Sequence, residues 1–233
     1  MKYRALACDY DGTLAHDGVV TPSTTTALDR LRASGRHLFM VTGRELPELK
    51  QVCPVLDRFE WVVAENGALL HNPSGNTTKL LCEPASIALV ELLRKFDVKP
   101  LSVGQAIIAT AEPHEIVVLE EIKRLGLELQ VIFNKGSVMV LPTGVNKATG
   151  LTALLQEAGL SADDVVGVGD AENDHAFLEC CGVGVAVANA LPMLKERADF
   201  VTKGARGEGV EELIDMILAD DLADIRPHPR RPR

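Results

Sequence analysis

Short, uninterrupted apolar segments recur along the chain, separated by segments with helical periodicity. Because their apolar residues are continuous rather than alternating, these segments are typical of parallel strands covered on both faces of a sheet. The predicted strands are Ala5–Cys8, His37–Val41, Trp61–Ala64, Val165–Val168, Val183–Val187 and Asp199–Val201.

Two of the intervening helices have clear start and stop signals. Thr21 is a good N-cap residue, Pro22 suits the first helical position, and Gly35 can end this helix. A second helix is predicted from Asn146 to Gly159, with leucines along one face. Right-handed crossovers between such strands predict an α/β fold with a doubly wound, Rossmann-like parallel sheet, whose chemistry lies beyond the carboxyl ends of the strands.

The alternation of strand and helix is interrupted between residues 84 and 142. Here a helix followed by two strands occurs twice, in the order αββαββ. We interpret residues 84–142 as an inserted α+β domain and residues 1–83 and 143–225 as the core domain; the alternative is an antiparallel continuation of the main sheet. The predicted elements are helices Ala85–Phe96 and Pro113–Leu125 and strands Val98–Val103, Ala106–Ala111, Leu127–Phe133 and Ser137–Leu141.

Composition and charge narrow the class of protein. Lys and Arg number 24 against 33 Asp and Glu, a net charge of −9, which disfavours nucleic acid and anionic membranes as partners. Residues 226–233 are basic and interrupted by proline, so we predict a flexible tail. The five cysteines lack metal-site spacing, and no apolar segment approaches the roughly 18 residues of a membrane span. These features predict a cytoplasmic protein with reduced thiols.

Two carboxylates follow the first predicted strand. Asp9 and Asp11 lie two residues apart, and Gly12 allows the chain to turn after them. Carboxylates at a strand end are costly unless a cation or a reaction requires them. A calcium loop of the EF-hand type is excluded, because Ala7 and Gly18 occupy its first and last ligand positions. A simple turn remains the alternative for this motif alone.

Further polar groups follow the other predicted strands. Thr42 and Gly43 offer a hydroxyl and backbone amides at a helix entry, which suits a phosphate group. Asp170 and Asp174 form a second acidic cluster and, with Asp9, would supply the oxygen ligands that Mg²⁺ prefers.

Lys147 opens the helix after the insertion, where its ammonium could neutralise a phosphate oxygen. Taken singly, Thr42 is better explained as an N-cap, and Lys147 as a solvated lysine of a first helical turn. Their recurrence at the ends of strands and the starts of helices favours a shared site.

These motifs together resemble those of the haloacid dehalogenase superfamily of phosphatases. The sequence has DYDGTL at Asp9–Leu14, VTGR around Thr42, the lysine of GVNKATG at Lys147, and GDAEND, which contains Asp170 and ends at Asp174. The order of the motifs and the αββαββ insertion resemble the Cof-like branch, in which a large cap lies between the second and third motifs. Residues 84–142 would form that cap and are here called the cap segment. A threonine replaces the more frequent serine at position 42, which keeps the hydroxyl.

The resemblance implies a role for each motif residue. Asp9 would be the nucleophile that forms an aspartyl-phosphate, and Asp11 the general acid and base. Thr42, Gly43 and Lys147 would bind the substrate phosphate. Mg²⁺ would be held by Asp9, Asp170 and the backbone carbonyl of Asp11, with Asp174 as a ligand or as a group that orients Lys147 and water.

Three other residues receive weaker expectations. Arg44 would contact a substrate anion or the cap, and Asn173 would support the site. Asn66 stands in a segment, ENGA, that resembles the family's sequence near the cap hinge, so a contact with substrate is one interpretation. The other is a hairpin turn, since Asn-Gly is a strong hairpin signal.

The sequence therefore predicts a Mg²⁺-dependent phosphatase that acts on a small phosphorylated metabolite, either a sugar phosphate or a phosphorylated acid. One alternative is a phosphomutase or phosphotransferase with the same aspartyl-phosphate. It would need a cluster of cationic residues in the cap, where the lysines and arginines, including Lys135, are dispersed. A catalytically idle binding module is the second alternative, and the intact set of acidic residues argues against it.

Overall fold

The computed structural model describes residues 1–227, which contain two separate β-sheets. Arg230, Arg231 and Arg233 of the predicted tail lie outside the described residues. The strands of the larger sheet are β1 (Ala5–Cys8), β2 (His37–Val41), β3 (Trp61–Ala64), β4 (Leu69–Asn72), β5 (Thr77–Leu80), β10 (Val165–Gly169), β11 (Val183–Ala186) and β12 (Phe200–Val201). Those of the smaller sheet are β6 (Ser102–Val103), β7 (Ile108–Ala111), β8 (Leu129–Asn134) and β9 (Ser137–Pro142).

The larger sheet has the strand order β12-β11-β10-β1-β2-β3-β4-β5. The six strands from β12 to β3 are parallel, and β4 and β5 add an antiparallel edge. Strands β2 and β3 lie on one side of β1, and β10, β11 and β12 lie on the other. The strand order therefore reverses at β1, and the carboxyl ends of β1, β2 and β10 meet at one central crevice. The predicted α/β class with a doubly wound parallel sheet is confirmed.

Helices connect the strands and cover the sheet. The helices of the larger part are α1 (Pro22–Ala33), α2 (Leu46–Val52), α5 (Lys147–Ala158), α6 (His175–Cys180), α7 (Pro192–Arg197) and α8 (Arg206–Asp220), and those of the cap segment are α3 (Ile87–Lys95) and α4 (Glu115–Leu125). Helix α1 packs against α8, and α5 packs against α6, while α5 also contacts the turn after β3. None of the described helices is long and apolar enough to cross a membrane.

The start and end signals of the two best-predicted helices act as expected. The Thr21 side chain accepts a hydrogen bond from the amide of Thr24 at the start of α1. Asn146 caps α5 through a reciprocal pair of hydrogen bonds with Thr149, and Gly159 ends that helix in the left-handed conformation. The strong cap on α5 holds its first residue, Lys147, in a defined position.

The cap segment has its own antiparallel sheet, in the order β6-β7-β9-β8, and its own apolar cluster. The two helix-hairpin units predicted here are present; most of their elements are shorter than predicted, and β9 is one residue longer. The largest difference is at Val98–Val103, where only Ser102–Val103 pairs as β6. Val98 instead is buried among the residues of α3 and α4. The hairpin of β4 and β5 was not predicted as strands.

Candidate active site

The first loop of the site turns tightly after β1. The Tyr10 side chain is buried, and its hydroxyl donates to the carbonyls of Gly18 and Val52, while Asp9 and Asp11 both line the cavity over the crevice. Gly12 has φ +82°, and a Cβ there would lie 2.2 Å from Oδ2 of Asp170. The turn therefore needs glycine both for its backbone conformation and for the close approach of the second acidic cluster.

A buried lysine joins two carboxylates at the centre of the site. The Nζ atom of Lys147 lies 2.6 Å from Oδ1 of Asp9 and 2.6 Å from Oδ1 of Asp174. Oδ2 of Asp174 accepts hydrogen bonds from the backbone amides of Asp170 and Ala171, at 2.8 and 2.9 Å. Lys147 is only 1% exposed, so its interpretation as a solvated lysine is wrong. Burial lowers the pKa of Lys147, but Asp174 and Asp9 raise it more, so the ammonium stays charged.

The acidic cluster has the chemistry of a divalent-cation site. Ligand atoms of Asp9, Asp170 and Asp174 lie within 4.8 Å of one another, and all three residues are buried. Oδ1 of Asp170 is buried without a hydrogen-bond partner among the described residues. Burial, more than the neighbouring carboxylates, raises the pKa of Asp9 to about 8, despite the opposing effect of Lys147. A cation bound to these oxygens would favour the ionised carboxylates, so the donor set fits a hard divalent ion.

Thr42 and Gly43 follow β2 on the neighbouring strand. Thr42 is fully buried, and its hydroxyl accepts the backbone amide of Arg44 at 3.1 Å. Helix α2 begins at Leu46 with Glu45 in the N-cap position, so the N-cap interpretation of Thr42 is wrong. Gly43 lines the cavity, whereas Thr42 is not among its lining residues.

Arg44 binds a catalytic candidate rather than the cap segment. Its Nε and Nη2 atoms donate to the two carboxylate oxygens of Asp11 at 2.6 and 2.8 Å, and Nη1 donates to Glu48 at 2.5 Å. The hydrogen bond to Asp11 raises the pKa of Arg44. This bidentate contact, which was not predicted, fixes the direction of the Asp11 carboxylate.

Asn66 lies in a turn and also faces the other site residues. It has φ 55° in the connection between β3 and β4, which pair antiparallel, so a turn role is correct. Its side chain is buried, and Oδ1 accepts a hydrogen bond of 2.9 Å from Nδ2 of Asn173. Asn173 lines the cavity beside Gly43 and thus links the turn after β3 to the acidic loop after β10.

Both parts of the chain line a cavity of about 360 Å³ over the crevice. Lys135, at the tip of the β8–β9 hairpin, places its Nζ 2.5 Å from Oδ2 of Asp170. Asn189 also donates to this oxygen, at 3.3 Å, and to the carbonyl of Gly12 at 2.8 Å. Neither residue was assigned to the site from sequence. The sequence predicts strands on both sides of the turn Asn134-Lys135-Gly136, but nothing in it shows where an inserted hairpin tip points.

Glu65 connects the core to the cap segment. Its buried carboxylate accepts hydrogen bonds from the backbone amides of Gln105, Ala106 and Ile107, at 3.0, 2.8 and 3.1 Å. An apolar cluster that includes Ala68 on the core side and Ile107 on the cap side packs next to this contact. Glu65, in the motif ENGA, thus positions the β6–β7 hairpin over the site, a role the sequence did not indicate.

Comparisons with known proteins agree with this geometry. A model of the haloacid dehalogenase-like hydrolase family matches residues 6–112 and 88–214. The phosphoglycolate phosphatase of Methanothermobacter thermautotrophicus is 32% identical over 218 residues, covering 91% of this chain and 97% of that protein. Phosphoglycolate phosphatase 2 of Saccharolobus solfataricus is 30% identical and covers 93% of each. A haloacid dehalogenase-like hydrolase structure from Bacteroides thetaiotaomicron has a TM-score of 0.78, at 22% identity, over 93% of this chain and 100% of that one.

Proposed function

Since the chain belongs to the haloacid dehalogenase-like hydrolase family and is a phosphatase, we propose that it is a Mg²⁺-dependent enzyme for a small phosphorylated acid. The relatives named phosphoglycolate phosphatase make 2-phosphoglycolate the first substrate to test, ahead of the sugar phosphates. The observation that carries the proposal is the buried cluster of Asp9, Lys147, Asp170 and Asp174 under a cavity that Asp11 also lines.

Asp9 is the proposed nucleophile. An oxygen of its carboxylate forms a bond to phosphorus while the bond from phosphorus to the substrate's ester oxygen breaks. Lys147, 2.6 Å from Oδ1 of Asp9, holds the carboxylate in place and adds positive charge where the phosphate would bind. The amides near Gly43 would donate hydrogen bonds to the phosphate oxygens, with the Thr42 hydroxyl supporting that loop.

Asp11 is the proposed proton donor and acceptor. It gives its proton to the leaving alkoxide, and then takes a proton from the water that attacks the phosphorus of the aspartyl-phosphate. The second attack releases inorganic phosphate and restores the Asp9 carboxylate. The Arg44 guanidinium contacts both oxygens of Asp11 in this structure, so the carboxyl group must turn one oxygen away from Arg44 and toward the substrate when it transfers the proton.

Mg²⁺, when bound, would offset the repulsion between the Asp9 carboxylate and the phosphate dianion. Asp9 and Asp170 would hold it, together with the backbone carbonyl of Asp11. The hydrogen bonds to both oxygens of Asp174 favour an orienting role for that residue. Asp174 would fix Lys147 and the loop that carries Asp170, with Asn173 and Asn66 bracing the same loop.

Two observations weigh on the alternatives. A phosphomutase needs several cations in the cap to hold a second phosphate, and Lys135 is the only cationic residue from the cap segment that lines the described cavity. An idle binding module does not need a lysine buried between two carboxylates, which is costly without a function. The cytoplasmic location inferred from the sequence stays a prediction.

The variants Asp9→Asn and Asp11→Asn test the two roles. Asp9→Asn removes the nucleophile, so turnover of any phosphate ester should fall to background. Asp11→Asn keeps the nucleophile but lacks the base, so with an aryl phosphate, whose leaving group needs little protonation, the phosphoenzyme should accumulate. Intact mass after rapid quench should show one added phosphoryl group, labile in hydroxylamine, on Asp11→Asn alone.

Other sites of labelling would contradict the proposal. A phosphoryl group found on Asp9→Asn, or attached to Thr42 or a histidine, would mean that Asp9 is not the nucleophile. Phosphate release that persists undiminished after metal removal with EDTA would contradict the role of Mg²⁺.

A further inference from the structure

We propose that Lys135 selects substrates that carry a second anionic group. Its ammonium pairs with Asp170 in this structure, and a divalent cation bound to the acidic cluster would leave it free to bind the substrate's carboxylate. This inference rests on the proposed function and deepens it, because it specifies a substrate with both a phosphate and a nearby carboxylate.

The turn that carries Lys135 is short and well defined. Asn134 pairs with Ser137 at the end of the β8–β9 hairpin, so Lys135 and Gly136 form a two-residue loop. Their φ angles of 47° and 81° are those of a type I′ turn, whose twist matches that of the strands. The hairpin therefore holds the lysine backbone firmly over the site, and only the side chain needs to move.

Lys135 is the only charge that the cap segment brings to the described cavity. The other cap-segment residues that line it are uncharged: Ser102, Ile107, Ala109, Asn134, Ser137 and Met139. A small substrate bound through its phosphate at Asp9 would therefore face a cap-segment surface that is uncharged except for the Lys135 ammonium. Among the cap-segment residues that line the described cavity, only Lys135 can then give a charge-assisted hydrogen bond to a carboxylate on that substrate.

The other two cations of the cavity already have carboxylate partners in the core. Lys147 lies between Asp9 and Asp174, and the Arg44 guanidinium spans Asp11 and Glu48. Lys135 differs because its side chain is 44% exposed and its ion pair is with Asp170, a residue of the acidic cluster.

A divalent cation at that cluster would compete with the ammonium for the same carboxylate. Nζ of Lys135 lies 2.5 Å from Oδ2 of Asp170, while Oδ1 of the same carboxylate has no hydrogen-bond partner among the described residues. A divalent cation bound to this carboxylate would repel the ammonium, so its binding would weaken the ion pair and favour release of the Lys135 side chain into the cavity. A substrate carboxylate could then take the place of Asp170 as the partner of Lys135.

The first experiment compares Lys135→Ala with wild type on 2-phosphoglycolate and on 2-phosphoglycolamide, its neutral analogue. Loss of one charge-assisted hydrogen bond should lower kcat/KM for phosphoglycolate by about tenfold or more, chiefly through KM. The value for the amide should change by less than about twofold, because no carboxylate is present to lose a partner. Lys135→Arg should keep the preference for the acid, and Lys123→Ala, at an exposed site on α4, should match wild type.

The second measurement needs no turnover. Calorimetric titration of Mg²⁺ into each metal-free protein should show tighter binding to Lys135→Ala, by about three- to tenfold, because the competing ammonium is gone. Unchanged or weaker Mg²⁺ binding would overturn the pairing with Asp170, and an equal loss of activity on acid and amide would overturn carboxylate recognition. Either result leaves the proposed function intact if the wild-type protein hydrolyses phosphoglycolate. If the wild-type protein hydrolyses neither phosphoglycolate nor the amide, the proposed function itself is wrong.

Discussion

Hydrogen bonding separates the roles of the acidic residues at the scale of single side chains. Both oxygens of Asp174 are engaged, one by Lys147 and the other by two backbone amides. Asp170 has one oxygen with no partner among the described residues, and its second oxygen accepts from Lys135, a cation that can leave, and from Asn189 at the longer distance of 3.3 Å. Asp170 is therefore better suited than Asp174 to give both oxygens to an incoming cation, although the two residues look equivalent in the sequence.

The motif residues could be predicted individually because their chemistry is unusual for their position. Carboxylates after apolar strands are costly, and Asp9 and Asp170 stand out for that reason. Glu65 and Lys135 have the same residue types as many exposed surface positions in this chain. Their partners, the amides of 105–107 and the Asp170 carboxylate, are 40 and 35 residues away, and no local pattern reports such a contact.

His71 on β4 should make the protein less stable in mild acid. Burial, aided by repulsion from Lys50, lowers the pKa of His71 below its usual value of 6.5. The unfolded chain therefore takes up a proton at a higher pH than the folded chain does. Stability from this residue is complete above about pH 6.5 and declines as the pH falls through that value toward the lower pKa of the folded state.

The variant His71→Gln isolates this effect, because an amide nitrogen can keep the hydrogen bond to the carbonyl of Thr77. Urea unfolding at pH 7.5 and 5.5 should show that wild type loses more stability on acidification than the variant does. The exposed residue His16 serves as the control, with His16→Gln following the wild-type pH profile. A parallel loss in wild type and His71→Gln would show that burial of His71 has no such consequence.

At the scale of secondary structure, burial decided which elements the sequence revealed. Strands β1, β2 and β3 are almost wholly buried, and their predicted bounds are correct. Strand β5 reads Thr-Thr-Lys-Leu and is mostly exposed at the sheet edge, so it carries no continuous apolar signal. Its pairing with β4 depends on backbone hydrogen bonds to a neighbour, which a hydrophobic pattern does not report.

The contact between Glu65 and the loop before β7 should govern how firmly the cap segment is held. Replacing Glu65 with alanine leaves three amides without their acceptor, two of them in buried contacts, and should cost about 3 kcal/mol. Hydrogen exchange should show loss of protection at Gln105, Ala106 and Ile107 before global unfolding. Glu83→Ala, at an exposed position directly before the cap segment, is the matched control and should retain that protection. Unaltered exchange at these amides in Glu65→Ala would show that the Glu65 carboxylate does not hold the cap segment in place.

At the scale of the whole molecule, two apolar clusters lie in different parts of the chain. The larger cluster involves strands and helices on both sides of the insertion, whereas Leu89, Leu93, Val118 and Val140 belong to a cluster made within the cap segment. The order of motifs and the αββαββ pattern were enough to predict a core interrupted by a second α+β unit. The surface on which the two parts meet could not be predicted, because it depends on Glu65 and on small apolar residues such as Ala68.

Excision of residues 84–142, with a short Gly/Ser bridge in their place, should leave a core that folds. The larger cluster contains no residue from this segment, and the Glu65 carboxylate would exchange its buried amide partners for water. Ala68, Leu80 and Cys82 would lose apolar neighbours, so the stability should fall without loss of a cooperative unfolding transition. Because the excised segment includes Lys135, the truncated protein should keep weak activity on an aryl phosphate but lose its preference for phosphoglycolate over the amide. Circular dichroism and urea unfolding would check the fold, and an insoluble or unfolded product would show that the segment is an integral part of the core domain.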